Sequence, residues 1–156
     1  MKSWVIYIAA ALGFVVYGAA TDVDRDDTGA IVGSGTVDAF NVQVGDCFND
    51  LSSYDEEVIS VPGVPCSEPH DNEAFAVFDV SIENYLDDDA MYDLAYSSCM
   101  ERFESFVGND YESSSLEITT MYPSVQSWQQ DDREVVCAVF DMNSTQLVGS
   151  AAGRGL

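Results

Sequence analysis

The sequence predicts an α+β domain, a mainly antiparallel sheet with one main helix, stapled by disulfides and preceded by an N-terminal transmembrane helix. Three observations carry this reading. Short apolar runs with strand-like alternation recur from residue 21 to residue 150, punctuated by Gly, Pro and Asp. One stretch only, from Asp87 onward, has its apolar residues at helical spacing. Four cysteines follow a leading apolar run, the arrangement of a domain exported to where thiols oxidise.

The leading run, residues 1–20, is a separate object. From Ser3 to Ala20 there is no charged residue, a length at the lower edge for crossing a bilayer. Lys2 precedes the run and acidic "TDVDRDD" follows it, so the positive-inside rule puts the remainder outside. Two readings compete: a signal peptide cleaved after Ala20, with Gly18 and Ala20 as its small residues, or an uncleaved signal anchor. The length of the run, and Trp4 and Tyr17 as interfacial aromatics, favour the anchor. The expected location is the plasma membrane, single-pass with the C-terminal domain outside, its lipid contact running through Ser3 to Ala20. Cleavage would make the protein secreted instead.

Residues 21–36 read as an acidic linker or hairpin turning at Asp26 to Gly29, residues 37–150 as the main domain, and residues 151–156 as a tail. Asp22 to Gly29 has the alternating acids of a calcium loop. It has Asp27 where that loop needs glycine and Gly33 where it needs glutamate.

Along the main domain, Phe40, Val42 and Val44 alternate as in a half-buried strand. Glu56 to Pro62 reads as a short strand stopped by its proline. Glu73 to Val80 is apolar on both faces, with Phe75 and Val77 on one and Ala76, Phe78 and Val80 on the other, as in a central strand. Asp87, Asp88 and Asp89 suit the positive end of a helix. Met91, Ala95, Cys99, Phe103 and Phe106 form its apolar stripe, and Gly108-Asn109 its stop. Ser115 to Pro123 reads as a strand, Ser124 to Gln130 as a loop or short helix, and Glu134 to Met142 as a second central strand. "QLVGS" reads as a last edge strand. Ala-Val-Phe-Asp occurs twice, at Ala76 and at Ala138, in the two central strands.

Charge narrows the partners. With 28 acidic residues against 5 basic ones the net charge is −23, which argues against nucleic acid and against anionic headgroups. The cysteines lie at Cys47, Cys66, Cys99 and Cys137. The favoured pairing is Cys47–Cys66, closing a local loop between strand ends, and Cys99–Cys137, tying helix to strand. There is no C-x-x-C, and the single histidine, His70, rules out a two-Cys, two-His zinc site; the wide spacing and oxidising setting argue against a zinc site of all four cysteines, and no metal or cofactor is expected.

The stretches "VGDCF", "VPCSEPHDNEAF", "AYSSCMERFESFVGNDY", "YPSVQSW" and "DREVVC" together resemble the actinobacterial septum formation domain family. The shared pattern is Gly45-Asp-Cys-Phe48, then Val61 and Val64-Pro-Cys66 with Pro69-His70 and Glu73. The helix Ala95, Cys99, Phe103 follows, then Trp128, Asp132-Arg133 and Cys137. The resemblance covers about Val37 to Gly149. Asp131 stands where the family has glycine, and Tyr85-Leu86-Asp87 where it has a Tyr-Pro-Gly turn. The resemblance implies a membrane-tethered extracytoplasmic module linked to division and implies no assigned chemistry.

Cys66, His70 and Asp71 have the residue types of a nucleophile pair with its orienting acid. The plainer reading is an oxidised corner with His70 in a turn, and it is preferred. No Gly-x-Ser-x-Gly occurs, and Lys2 is the only lysine. The expectation is a binding module, not an enzyme. Its candidate contacts are His70, Asp71, Trp128 and Arg133, and its partner is an unidentified protein or cell-wall component outside the membrane. The alternative is an exported hydrolase acting on cell-wall material. A deep pocket with convergent carboxylates would favour the hydrolase, a shallow surface the module.

Overall fold

The computed structural model describes residues 21–51 and 58–156. The predicted membrane segment Ser3 to Ala20 lies outside them, as do Glu56 and Glu57. Among the described residues no helix is long and apolar enough to cross a membrane.

The described residues form eight strands, one long α-helix and one short α-helix, in the order β1 (Asp24–Arg25), β2 (Ile31–Gly33), β3 (Gly35–Asp38), β4 (Cys47–Phe48), β5 (Ser60–Val64), β6 (Asn72–Asp79), α1 (Asp88–Val107), β7 (Leu116–Met121), α2 (Val125–Trp128) and β8 (Glu134–Asp141). Strands β3 to β8 form one sheet in the order β3-β5-β4-β6-β8-β7, every pairing antiparallel. β1 and β2 form a separate antiparallel hairpin. The two Ala-Val-Phe-Asp stretches lie in the neighbouring strands β6 and β8.

α1 forms where its sequence dictates. Asp87 caps it by accepting from Ala90 N at 2.9 Å, and Asp88 and Asp89 sit in the first turn. Gly108 ends it in the left-handed region, φ 83°, where a Cβ would be strained. Met91, Ala95, Cys99, Phe103 and Val107 are fully buried. Val107, one residue beyond the predicted Phe106, closes the stripe, and Phe106 is half-buried beside it.

Both faces of the sheet are covered, as two apolar faces require. In β8, Val135, Cys137 and Val139 point toward α1, while Val136 and Ala138 point to the opposite face with Ile31, Val37 and Val61. β6 departs from simple alternation. Its register with β8 shifts between Ala74 and Ala76, so Phe75 joins Ala76, Phe78 and Val80 on the helix side. The predicted pairing of Phe75 with Val77 fails at this bulge. Gly63 lets the β1–β2 hairpin reach the second face: a Cβ there would lie 2.7 Å from Val37 Cγ2 and 2.8 Å from Val23 Cγ1.

Three local readings are corrected. Residues 40–44 are not a strand. Asp38 accepts from Phe40 N at 3.0 Å and starts a 3₁₀ turn over Ala39–Asn41, leaving Phe40 and Val44 exposed and Val42 alone buried. Pro62 does not stop its strand; β5 runs through it to Val64, and its carbonyl accepts from Asn49 N at 2.9 Å. "QLVGS" contributes a single bridge, Leu147 against His70, rather than a strand.

The last residues close the molecule. Gly153 N donates to Phe106 O at 2.7 Å and Gly155 N to Val107 O at 2.8 Å, capping carbonyls that the end of α1 leaves without helical partners. Ala151 is fully buried in the helix-side core.

Candidate functional site

Two disulfides fix the frame. Cys47 at the start of β4 joins Cys66, and Cys99 in mid-α1 joins Cys137 in β8. Of the sequence-predicted contacts, His70 and Asp71 fall at the N-terminal end of β6, Trp128 and Arg133 near its C-terminal end, where Val80 N donates to Arg133 O at 2.8 Å. The four candidates do not form one site.

At the first place the sulfur of Cys66 is bonded to Cys47, so there is no thiol for an imidazole to activate. His70 comes just after the turn that precedes Pro69 and is fully buried. Its backbone pairs in both directions with Leu147, and its Nδ1 donates to the Glu68 carbonyl at 2.8 Å. Nε2 has no hydrogen-bond partner among the described residues. Asp71 is occupied as well, accepting from Asp50 N at 2.9 Å and from Gln146 Nε2 at 3.1 Å.

The residue that organises this corner is Glu73, named in the sequence as the last residue of the shared Val61–Glu73 motif but not as a site residue. It is fully buried and accepts from Ser150 Oγ at 2.6 Å and Ala151 N at 2.5 Å. Its carboxylate and the sulfurs of Cys47 and Cys66 lie within 4.8 Å of one another. Bonded to each other, those sulfurs are not the thiolates a zinc site needs. The signal was present: a carboxylate closes the Val61–Glu73 motif and opens an apolar strand. Asp46, beside Cys47, is a second buried acid, held by both Nη atoms of Arg25 at 2.6 and 2.7 Å. That hydrogen-bonded pairing raises the Arg25 pKa, and it ties the hairpin to the sheet.

At the second place Trp128 is a core residue, with Tyr85 at its edge, ring centroids 5.8 Å apart. Its face is taken by Arg133, whose Cζ lies 3.5 Å from the ring centroid. Arg133 Nη1 donates to the carbonyls of Trp128 at 3.0 Å and Asp132 at 2.6 Å. Asp131 adopts φ 71°, the left-handed conformation that explains a glycine at this turn in the family pattern.

Beside this turn is a groove of about 550 Å³, its lining including Phe40, Ile59, Asp79, Asp132, Arg133 and Glu134. Phe40 is 59% and Ile59 73% exposed, so its apolar lip is open to solvent. Asp79 and Glu134 are register partners across β6 and β8. Burial first, then the charges of Asp132 and Asp79, push the Glu134 carboxyl above its ordinary value. Sequence reasoning missed this groove because it draws on four separated stretches of chain.

A family model described as "Septum formation" matches residues 44–154. Two curated relatives, both called "Putative lipoprotein LppN", come from Mycobacterium tuberculosis and Mycobacterium bovis. Each is 29% identical over 114 residues, covering 71% of this chain and 62% of its own length. The chain thus spans under two thirds of the relatives it matches. No solved structure matches it. The matched stretch contains both disulfides, all of β4 to β8 with α1 and α2, and the Glu73 clasp, and on that evidence the chain belongs to the septum formation family.

Proposed function

We propose that this protein is a membrane-anchored, extracytoplasmic binding module of the cell envelope, linked to septum formation. The observation that carries the reading is the commitment of its reactive side chains to structure. Cys66 is a disulfide sulfur, His70 is buried against backbone, Asp71 holds the loop at Asp50, and Arg133 is stacked on Trp128. A domain so stapled presents a fixed acidic surface, and its net charge of −23 steers basic partners toward it. The relatives named as lipoproteins support an envelope location. The four cysteines of this chain are all paired, so the anchor proposed is the apolar segment Ser3 to Ala20 rather than a lipid on one of these thiols.

One observation favours the alternative, an exported hydrolase of wall material. Glu134, its carboxyl pushed up by burial, stands beside Asp79 and Asp132, and glycoside cleavage uses such unequal carboxylates. Against it, Asp79 is exposed and the lip of the groove is open, so the low-dielectric enclosure that strengthens such catalysis is missing. A binding surface fits that geometry better.

The test is localisation in dividing cells of a fusion to an export-competent fluorescent protein. The full chain should concentrate in the envelope with enrichment at septa, and deletion of Ser3 to Ala20 should abolish this. Uniform cytoplasmic signal from the full chain would sink the reading.

A further inference from the structure

We infer that the groove bounded by Phe40, Ile59, Asp79, Asp132 and Glu134 is the docking site for an extended basic segment of a partner polypeptide, in which lysine or arginine alternates with apolar residues. This deepens the binding-module reading and rests on it.

The carboxylates are arranged against the stability of the isolated domain. Asp79 and Glu134 are opposite one another across β6 and β8, and like charges so placed are destabilising. Asp132 is fixed alongside, its Oδ1 accepting from Glu134 N at 2.9 Å. Among the described residues no cation pairs with Asp79 or Glu134. Arg133, the cation on the spot, has its guanidinium on the Trp128 ring and its nearest carboxylate, at 3.5 Å, is the exposed Asp131. A cationic side chain entering the groove would meet Asp79 and Glu134, carboxylates that no ion pair among the described residues engages.

The lip specifies what flanks that cation. Phe40 and Ile59 belong to neighbouring segments, because Ala39 N donates to Ile59 O at 2.9 Å, and among the described residues they are the two most exposed large apolar side chains. An extended chain puts alternate side chains on opposite sides, so a Lys-apolar alternation seats its cations against the acids and its apolar groups on Phe40 and Ile59. A volume of about 550 Å³ accommodates several side chains.

The full chain in neutral detergent is titrated calorimetrically with a short synthetic peptide alternating lysine and leucine. Asp79→Asn with Glu134→Gln removes the facing charges. Phe40→Ser with Ile59→Ser removes the lip. Glu101→Gln with Glu104→Gln removes the same charge from the exposed side of α1. Each groove pair should weaken binding about tenfold or more, and the helix pair less than about twofold. Asp79→Asn with Glu134→Gln should melt no lower than the parent, so that lost binding is not lost folding. Equal losses from the groove and helix pairs would overturn the assignment, as would failure of the parent to bind the peptide. Spermidine binding as tightly as the peptide, unaffected by the lip pair, would overturn the polypeptide occupant. If the fusion localises to the envelope while these variants bind normally, the module stands and the groove does not.

Discussion

Glu73 grips the C-terminal segment with both of its oxygens, one receiving the Ser150 hydroxyl and the other the Ala151 amide. A buried carboxylate so held clasps residues 77 and 78 positions later to the edge of the Cys47–Cys66 staple. Replacing it with alanine leaves two donors without their acceptor inside the protein. Glu73→Ala should lower unfolding free energy by about 2–4 kcal/mol, whereas Glu73→Gln, which keeps one acceptor, should cost less. Chemical denaturation measures both, and a loss under about 0.5 kcal/mol for the alanine would reject the clasp.

Arg25 and Asp46 form a part-buried ion pair, the arginine side chain 21% exposed. Removing the arginine leaves Asp46, whose side chain is 4% exposed, with the Gln43 amide at 2.9 Å but no counter-charge. Arg25→Ala is expected to cost about 3 kcal/mol, and adding Asp46→Asn should recover part of that loss. Full additivity in the double-mutant cycle would contradict a direct coupling.

The disulfides should differ in worth. They close loops of 19 and 38 residues, which the chain-entropy model values at about 3 and about 4 kcal/mol. Cys99→Ala with Cys137→Ala also opens a cavity where both residues are fully buried, so it should be the more damaging pair. Half-buried Cys66 makes its own bridge the first to yield to dithiothreitol. Peptide mapping during mild reduction would detect the reverse order.

Acid titration should separate two carboxylates by sign. Glu134 holds its proton more tightly when folded, so its favourable contribution is complete below its ordinary value of 4.5 and is lost as pH rises through the folded value. Glu134→Gln should therefore raise the melting temperature at pH 7, with the gain vanishing below about pH 4. Asp26 is the opposite case. Hydrogen bonds from Thr28 lower its pKa, so its contribution is present above the ordinary 3.8 and fades as pH falls. Asp26→Ala should destabilise at pH 7 and converge with the parent in acid.

What could be read from sequence was local or periodic. α1 carried its own cap, stripe and stop, and β6 and β8 announced two-sided burial by being apolar on both faces. Reading failed where distant partners decide. Phe40 and Val44 alternate with Val42, yet the Asp38 cap and the sheet order leave them outside. The burial of His70 was not legible because the returning segment at Leu147 supplies it. A glutamate at position 73 looks solvent-directed until Ser150 and Ala151 arrive. The groove unites residues 40, 59, 79 and 132 to 134, and no window of sequence contains them together.

The most direct test is labelling of wall-stripped intact cells with a membrane-impermeant maleimide, before and after an impermeant phosphine reductant. An extracytoplasmic domain with all cysteines paired should take no label at first and should be labelled at half-buried Cys66 after reduction. Labelling without reduction, or labelling that appears only after the cells are lysed, would contradict a stapled module held outside the membrane.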